Sequence, residues 1–132
     1  CKGTIRSTQI ATGLENNLNI SVYGSSGSLT WEQENPNFLY HHTSDKPLQV
    51  LKPGHFYNSK LSLDGTKLPA GHPEGIFDAM GNIYRGVARA IREEKIEKGE
   101  FPTIDEGVRG MEFIEKAVKS NNNGNTWIEL DS

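Results

Sequence analysis

The sequence predicts an α+β domain in which antiparallel strands come first and two helices follow. Before residue 55 the chain alternates apolar and polar residues or clusters β-branched side chains, and short turn sequences separate these stretches. Beyond residue 73 apolar residues recur every three or four positions, as in a helix with one buried stripe. Because strands joined by short turns pair antiparallel, we expect a mostly antiparallel sheet before residue 55 and helices near 74–98 and 103–120.

The predicted strands follow one another closely. Residues 4–12 are rich in β-branched side chains and end at Gly13. Leu18, Ile20 and Val22 then alternate with polar residues, as in a half-buried strand. Turns rich in Gly, Ser, Asn and Pro separate the further strands, which we predict at residues 28–32, 38–43 and 48–52.

A segment without periodicity, residues 53–71, is predicted to be a loop that leads into the first helix. Pro73 suits the first position of a helix, and Glu74 would lie near the positive end of the helix dipole. This helix continues into a charged, solvated end at residues 92–98. Its apolar stripe, which we expect to be buried, comprises Ile76, Phe77, Met80, Ile83, Tyr84, Val87 and Ile91.

The second helix carries a stronger start signal. Thr103 and Glu106 have the spacing of a capping box, and an apolar stripe with one charged member follows them. The run of asparagines from Asn121 to Asn125 ends this helix, and Thr126–Leu130 is predicted to be a final strand.

The two helices should bury their stripes on one face of the sheet and leave the other face open. That open face would combine polar residues with Tyr23 and with Tyr40 or Leu39. A surface of this kind commonly meets a partner. We therefore expect a homo-oligomer formed through the open face, and a twofold dimer is its simplest closed form.

Composition excludes several classes of protein. The chain has 132 residues, the size of one domain, and its net charge of −3 comes from interspersed acidic and basic residues. The sequence lacks the basic stripe that is typical of a nucleic-acid-binding protein. It also has no run of apolar residues long enough for a membrane span. The single cysteine, Cys1, excludes a disulfide within the chain.

Cys1 stands where a methionine would be expected, and two interpretations follow. The favoured one is that the chain was cut from a longer protein and is truncated at its N-terminus. The other is a lipidated N-terminal cysteine, but a polar tether would then be expected before the first predicted strand. The compartment stays open, with the cytoplasm favoured over export.

Few residues indicate chemistry. Gly24–Gly27 lies between two predicted strands and lacks the spacing of a dinucleotide-binding loop, so we interpret it as a hairpin turn. His41 and His42 are adjacent on a predicted strand and therefore point to opposite faces, so that we expect no metal site. Asp45-Lys46-Pro47 is interpreted as a turn between strands.

His72 is the best single candidate for a binding residue. It precedes Pro73 and would stand at the N-terminus of the first helix, where anionic or hydroxyl-rich ligands can bind. The alternative is an ordinary histidine in a turn.

Three blocks of the chain carry a family resemblance: residues 13–37 (GLENNLNISVYGSSGSLTWEQENPN), 71–91 (GHPEGIFDAMGNIYRGVARAI) and 101–120 (FPTIDEGVRGMEFIEKAVKS). In order and spacing they resemble the C-terminal domain of the glucose-fructose oxidoreductase and inositol dehydrogenase family, Gfo/Idh/MocA. The resemblance implies an open-faced, mostly antiparallel sheet like that of the glyceraldehyde-3-phosphate dehydrogenase C-terminal domain. It also implies that this sheet supports the substrate pocket and mediates oligomerisation.

In such a family the parent enzyme transfers a hydride between NAD or NADP, held by an N-terminal Rossmann domain, and a sugar, polyol or related carbohydrate. The family's glycine-rich loop, its Glu-Lys-Pro motif and its Asp-x-x-x-His pair all precede the region that this chain resembles. The resemblance therefore implies that residues 1–132 are the substrate-binding and oligomerisation part of a dehydrogenase. It implies no catalytic, cofactor-binding or metal-binding residue here, no bound cofactor and no activity of the chain alone.

The 71–75 block matches the family, in which the turn before this helix lies near the substrate pocket. The resemblance thus implies that His72 contacts substrate by hydrogen bonding to hydroxyls. An alternative function is a free-standing carbohydrate-binding or dimerisation module. The coding sequence upstream of Cys1 separates the two, because only a dehydrogenase would have a strand followed by Gly-x-Gly-x-x-Gly, and later Glu-Lys-Pro, before this point.

Overall fold

The computed structural model describes residues 2–92, 94–96 and 98–130, and Cys1 lies outside them. The chain divides into two units, one up to Ala79 and one from Met80 onward. The elements, in chain order, are the strands β1 (Asn19–Tyr23), β2 (Ser28–Glu32), β3 (Leu39–Thr43) and β4 (Lys46–Leu51) and the helices α1 (Lys60–Gly65), α2 (Ile76–Ile91) and α3 (Ile104–Asn122). The predicted α+β class with an open antiparallel sheet is confirmed.

The sheet is a meander in the order β1-β2-β3-β4, with every neighbouring pair antiparallel. Tight turns explain this order, because the main chain of Gly24 and Gly27 closes the first hairpin with a 2.8 Å hydrogen bond and Ser44–Asp45 forms the last turn. Pro47 lies in β4, an edge strand of this sheet, where a missing N–H is tolerated.

The strand register separates the side chains into two faces. Ser21 pairs with Thr30, and their hydroxyl oxygens are 3.1 Å apart. His41 pairs with Gln49 on the opposite side, where the imidazole Nδ1 and the amide Oε1 are 3.1 Å apart. We call the first side the Tyr23 face; it carries Tyr23, Ser21, Ser28, Thr30, Tyr40, His42 and Val50. The other face carries Ile20, Val22, Leu29, Trp31, Leu39, His41 and Leu51.

Two predicted strands are not formed. Residues 4–12 and Thr126–Leu130 have no strand structure. A strand persists only when a neighbouring strand takes up its N–H and C=O groups, and no described strand pairs with either segment. In residues 4–12 the apolar side chain of Ile10 is 90% exposed, so the other described residues do not cover it.

The helices also differ from the prediction. The segment predicted as a loop contains α1, which is only 6 residues long and begins at the cap Ser59, whose hydroxyl accepts a hydrogen bond from the Ser62 N–H. Such a short helix leaves no periodic signal in the sequence. Helix α2 begins at Ile76 and not at Pro73, and it ends at Ile91 without continuing through the charged segment. Helix α3 agrees with its predicted bounds to within two residues.

Burial is lower than the apolar patterns predicted. Among the described residues only Gly86 is buried, and none of the described hydrophobic side chains is buried. The expected burial of the α2 stripe and of the Ile20–Val22 side of β1 is therefore wrong for this chain: Phe77, for example, is 89% exposed. The periodicity of apolar residues shows that a helix or strand has an apolar face. Whether another element covers that face depends on the tertiary structure. The packing of both helices on one sheet face stays a prediction.

Candidate functional site

The turn before α2, residues 66–75, contains His72, the best candidate from the sequence, and is held by several hydrogen bonds. Gly71 adopts a positive φ of 88°, which glycine accommodates without strain. The backbone N–H of His72 donates to the carbonyl oxygen of Pro69 over 3.1 Å. The segment therefore folds back on itself and displays His72 on its surface.

Glu74 closes this turn from within. Its carboxylate oxygen Oε1 accepts hydrogen bonds from the backbone N–H groups of Lys67 and Leu68, each over 2.5 Å. Bonds from N–H groups to a charged oxygen are stronger than those between neutral groups. Glu74 was expected near the positive end of the helix dipole, but it precedes α2 and its carboxylate binds the other end of the turn.

Asn37 holds the same turn from outside. It lies in the loop between β2 and β3, and its side-chain amide donates to the Glu74 carbonyl oxygen over 2.9 Å. Its Oδ1 in turn accepts from the Glu74 N–H over 3.0 Å. Both backbone polar groups of Glu74 are thus satisfied by one amide, and both residues are half-buried.

The turn also passes close to the backbone at Gly54. Gly54 has a φ of 76°, and a Cβ placed on it would lie 3.0 Å from the backbone nitrogen of Ala70. Only glycine allows this distance without displacing the turn. Hydrogen bonds therefore hold the turn at Lys67, Leu68 and Glu74, on both sides of His72.

His72 itself is exposed, and its Nδ1 lies 3.1 Å from the Pro69 carbonyl oxygen. A carbonyl oxygen can only accept, so we assign the proton of the neutral imidazole to Nδ1. Nε2 then carries the lone pair and can accept a hydrogen bond from a hydroxyl group. The predicted position at the helix N-terminus is wrong, because α2 begins at Ile76. The N–H of Gly75, just before the helix, already donates to Asp78 Oδ2 over 2.9 Å.

The other sequence candidates have structural roles. His41 and His42 point to opposite faces, as predicted from their adjacency on a strand. Within residues 2–92, 94–96 and 98–130, no group of three His, Cys, Asp or Glu side chains is placed to hold a metal ion. Lys46 and Pro47 belong to β4 and not to the turn that precedes it.

The Gly24–Gly27 hairpin is confirmed as a turn between antiparallel strands. A Cβ on Gly27 would lie 2.4 Å from the His42 carbonyl oxygen, so this glycine serves the packing of β2 against β3. Open hollows lie on both sides of the hairpin and are lined by its serines. This turn does not lead from a strand into a helix, so it does not fit the pyrophosphate of a dinucleotide. None of the helices in the described part of the chain is sufficiently long and apolar to span a bilayer.

The comparisons with known proteins agree with the resemblance. Residues 1–130 match the model of the oxidoreductase family C-terminal alpha/beta domain of the Gfo/Idh/MocA group. An uncharacterised oxidoreductase of Bacillus subtilis, YfiI, is 33% identical over 97% of this chain. This chain spans about a third of that relative, covering 34% of its length.

Solved structures give the same result. An oxidoreductase from Sinorhizobium meliloti is 37% identical with a TM-score of 0.87, over 92% of this chain and 35% of its own. An inositol dehydrogenase homologue from Azotobacter vinelandii complexed with NADH and myo-inositol is 30% identical with a TM-score of 0.72, over 91% of this chain and 33% of its own. The match extends through the fold, the turn and both long helices, and the chain therefore belongs to the Gfo/Idh/MocA oxidoreductase family, whose C-terminal α/β domain it carries.

Proposed function

We propose that this chain is the substrate-side part of an oxidoreductase that transfers a hydride between NAD or NADP and a sugar, polyol or related carbohydrate. The observation that carries the proposal is the similarity to the inositol dehydrogenase homologue that was solved with NADH and myo-inositol. The supported turn with an exposed histidine adds to it, because residues that bind substrate are often displayed on loops held by a rigid scaffold.

The cofactor is proposed to bind to an N-terminal Rossmann domain that this chain does not include. The Gly24–Gly27 turn does not fit a pyrophosphate, and the N–H that precedes α2 is already bonded to Asp78. We therefore expect residues 1–132 alone neither to bind nicotinamide cofactor tightly nor to oxidise carbohydrate.

His72 is proposed to contact the substrate. Its Nε2 can accept from a substrate hydroxyl, while Nδ1 is engaged with Pro69. A site that hydrogen-bonds a hydroxyl group discriminates strongly against analogues that lack it, so such a contact would contribute to specificity.

Self-association through the Tyr23 face is also proposed. Tyr23 is 79% exposed, and Val50 on the same face is exposed as well. An exposed face that combines aromatic and apolar groups with hydroxyls is typical of an interface.

The proposal is tested by reading the coding sequence upstream of Cys1 and by purifying the complete encoded protein. We expect a strand followed by Gly-x-Gly-x-x-Gly, a later Glu-Lys-Pro, and reduction of NAD or NADP in the presence of myo-inositol or a panel of sugars and polyols. Calorimetry of residues 1–132 with NAD should give no heat of binding. An unrelated upstream domain would refute the proposal and favour a carbohydrate-binding or dimerisation module. Micromolar NAD affinity of residues 1–132 would refute the expectation that the cofactor binds outside this chain.

A further inference from the structure

We propose that Asn37 and Glu74 are positioning residues of the substrate pocket, which hold the His72 imidazole as its Nδ1–H tautomer and present Nε2 as an acceptor for one substrate hydroxyl. The inference rests on the proposed function for its substrate class. The geometry that supports it lies entirely within the first unit.

Asn37 is a fixed support because its own loop is closed by hydrogen bonds. The N–H of Asn35 donates to the Glu32 carbonyl oxygen over 3.1 Å, and the N–H of Phe38 donates to the Asn35 carbonyl oxygen over 3.3 Å. The indole N–H of Trp31 donates to the Pro36 carbonyl oxygen over 3.0 Å. These hydrogen bonds hold the loop against β2, so the position of the Asn37 amide is fixed relative to the sheet.

The contact between Asn37 and Glu74 requires an amide. One atom of the side chain must donate to the Glu74 carbonyl oxygen while the other accepts from the Glu74 N–H. An aspartate would have the same shape, but its ionised carboxylate only accepts and would face the carbonyl oxygen without a proton. Asn37→Asp therefore removes one hydrogen bond and introduces a repulsion, with almost no change in volume.

Glu74 connects Asn37 to the turn that carries His72. Its backbone is held by Asn37, and its carboxylate holds the N–H groups of Lys67 and Leu68. Pro69 follows directly, and its carbonyl oxygen lies 3.1 Å from both the backbone nitrogen and the Nδ1 of His72. The direction of the Pro69 carbonyl therefore decides which imidazole nitrogen carries the proton, and Glu74 fixes that direction through the preceding residue.

The test uses the complete encoded protein labelled with 15N-histidine. Long-range proton–nitrogen spectra distinguish the two neutral tautomers, and the His72 signals are assigned by their loss in His72→Asn. We expect the Nδ1–H tautomer in the unaltered protein and a mixture of tautomers in Asn37→Asp and Glu74→Ala. Glu74→Gln keeps a side-chain oxygen that can accept from the two N–H groups, so it should restore the Nδ1–H signal.

The kinetic arm uses myo-inositol, or whichever carbohydrate of the panel is oxidised. We expect Asn37→Asp and Glu74→Ala to raise KM roughly tenfold, the equivalent of one hydrogen bond, with a smaller change in kcat. Asn16→Asp is the matched control: it makes the same change of charge at an exposed asparagine of the first unit, outside the loop that carries Asn37, and it should leave both readouts unchanged.

The outcomes separate the two proposals. An Nε2–H tautomer in the unaltered protein, or an Asn37→Asp variant that changes neither the tautomer nor KM, overturns the positioning role. A folded protein that oxidises no sugar or polyol with either NAD or NADP overturns the proposed function. In that case the tautomer spectra still decide whether Asn37 and Glu74 set the imidazole.

Discussion

Gly86 in α2 lies against the ring of Phe101, so closely that a Cβ at position 86 would be 2.9 Å from the Phe101 Cδ1 atom and 3.2 Å from the Glu100 carbonyl oxygen. This contact accounts for the burial of Gly86. It brings the chain segment before α3 back onto α2 at a point where no side chain fits between them.

Gly86→Ala should therefore destabilise the protein although alanine favours helices. The introduced methyl group must displace an aromatic ring and a backbone carbonyl, and overpacking of this kind costs about 1–3 kcal/mol. Gly81→Ala is the matched control in the same helix, because a Cβ there would meet no described atom within 4 Å apart from the neighbouring backbone of α2. It should stabilise by up to about 1 kcal/mol. Urea unfolding of the complete encoded protein measures both changes, and equal effects of the two substitutions would contradict the account.

Arg89 in α2 binds the segment that precedes α3 through an ion pair and hydrogen bonds. Its Nη1 donates to both carboxylate oxygens of Glu100, over 2.9 and 2.8 Å, and its Nη2 donates to the Lys95 carbonyl oxygen. The Glu100 side chain is only 11% exposed, so removing the Arg89 guanidinium takes two hydrogen bonds from a largely buried carboxylate. Arg89→Gln should cost about 1–3 kcal/mol of unfolding free energy, and Arg89→Lys should restore little because it lacks the planar fork.

The control for Arg89 is the exposed pair of Lys60 and Asp64 in α1. The Lys60 side chain is 82% exposed, and solvent screens such pairs. Lys60→Gln should change the unfolding free energy by less than about 0.5 kcal/mol. A larger loss from Lys60→Gln than from Arg89→Gln would show that the Arg89 contacts contribute little.

The capping box of α3 should support that helix. The Thr103 hydroxyl accepts from the Glu106 N–H, and the Glu106 carboxylate accepts from the Thr103 N–H over 2.7 Å. Thr103→Ala should cost about 1 kcal/mol, and Thr103→Ser, which keeps the hydroxyl, should recover most of it. Chemical denaturation measures both changes, and identical losses in the two variants would argue against the cap.

The same box predicts a pH dependence. The hydrogen bond from the Thr103 backbone, followed by that from its side chain, lowers the pKa of Glu106 below its ordinary value of 4.5. A lowered pKa in the folded state means that the stabilisation is complete above the ordinary value and is lost as pH falls through the lowered pKa. Glu106→Gln removes this titration, so the variant should show a shallower loss of stability below pH 4.5 than the unaltered protein. Equal slopes in that range would contradict the prediction.

Substitution at Tyr23 should weaken self-association. Tyr23→Glu places a charge in the proposed interface, where an unpaired charge would have to be desolvated on association. We expect a lower apparent mass by light scattering at micromolar concentration. Phe56→Glu makes a similar change at an exposed aromatic outside the strands and should leave the mass unchanged. A monomeric unaltered protein at high concentration would end the proposal.

The sequence by itself determined the features that depend on neighbouring residues. The hairpins, the meander and the start of α3 follow from turn glycines, alternation and the Thr103–Glu106 spacing, because each acts over a few positions along the chain. The family followed from blocks that keep their order and spacing.

Only the tertiary structure decided the features that need a distant partner. Asn37 and Glu74 lie 37 positions apart, and no local pattern predicts that one amide satisfies both backbone groups of the other residue. Likewise, residues 4–12 and Thr126–Leu130 have the composition of strands but pair with no strand in the described structure. Backbone hydrogen bonds in a sheet are made between segments, so β-branched composition gives a propensity, and the available neighbour decides whether a strand forms.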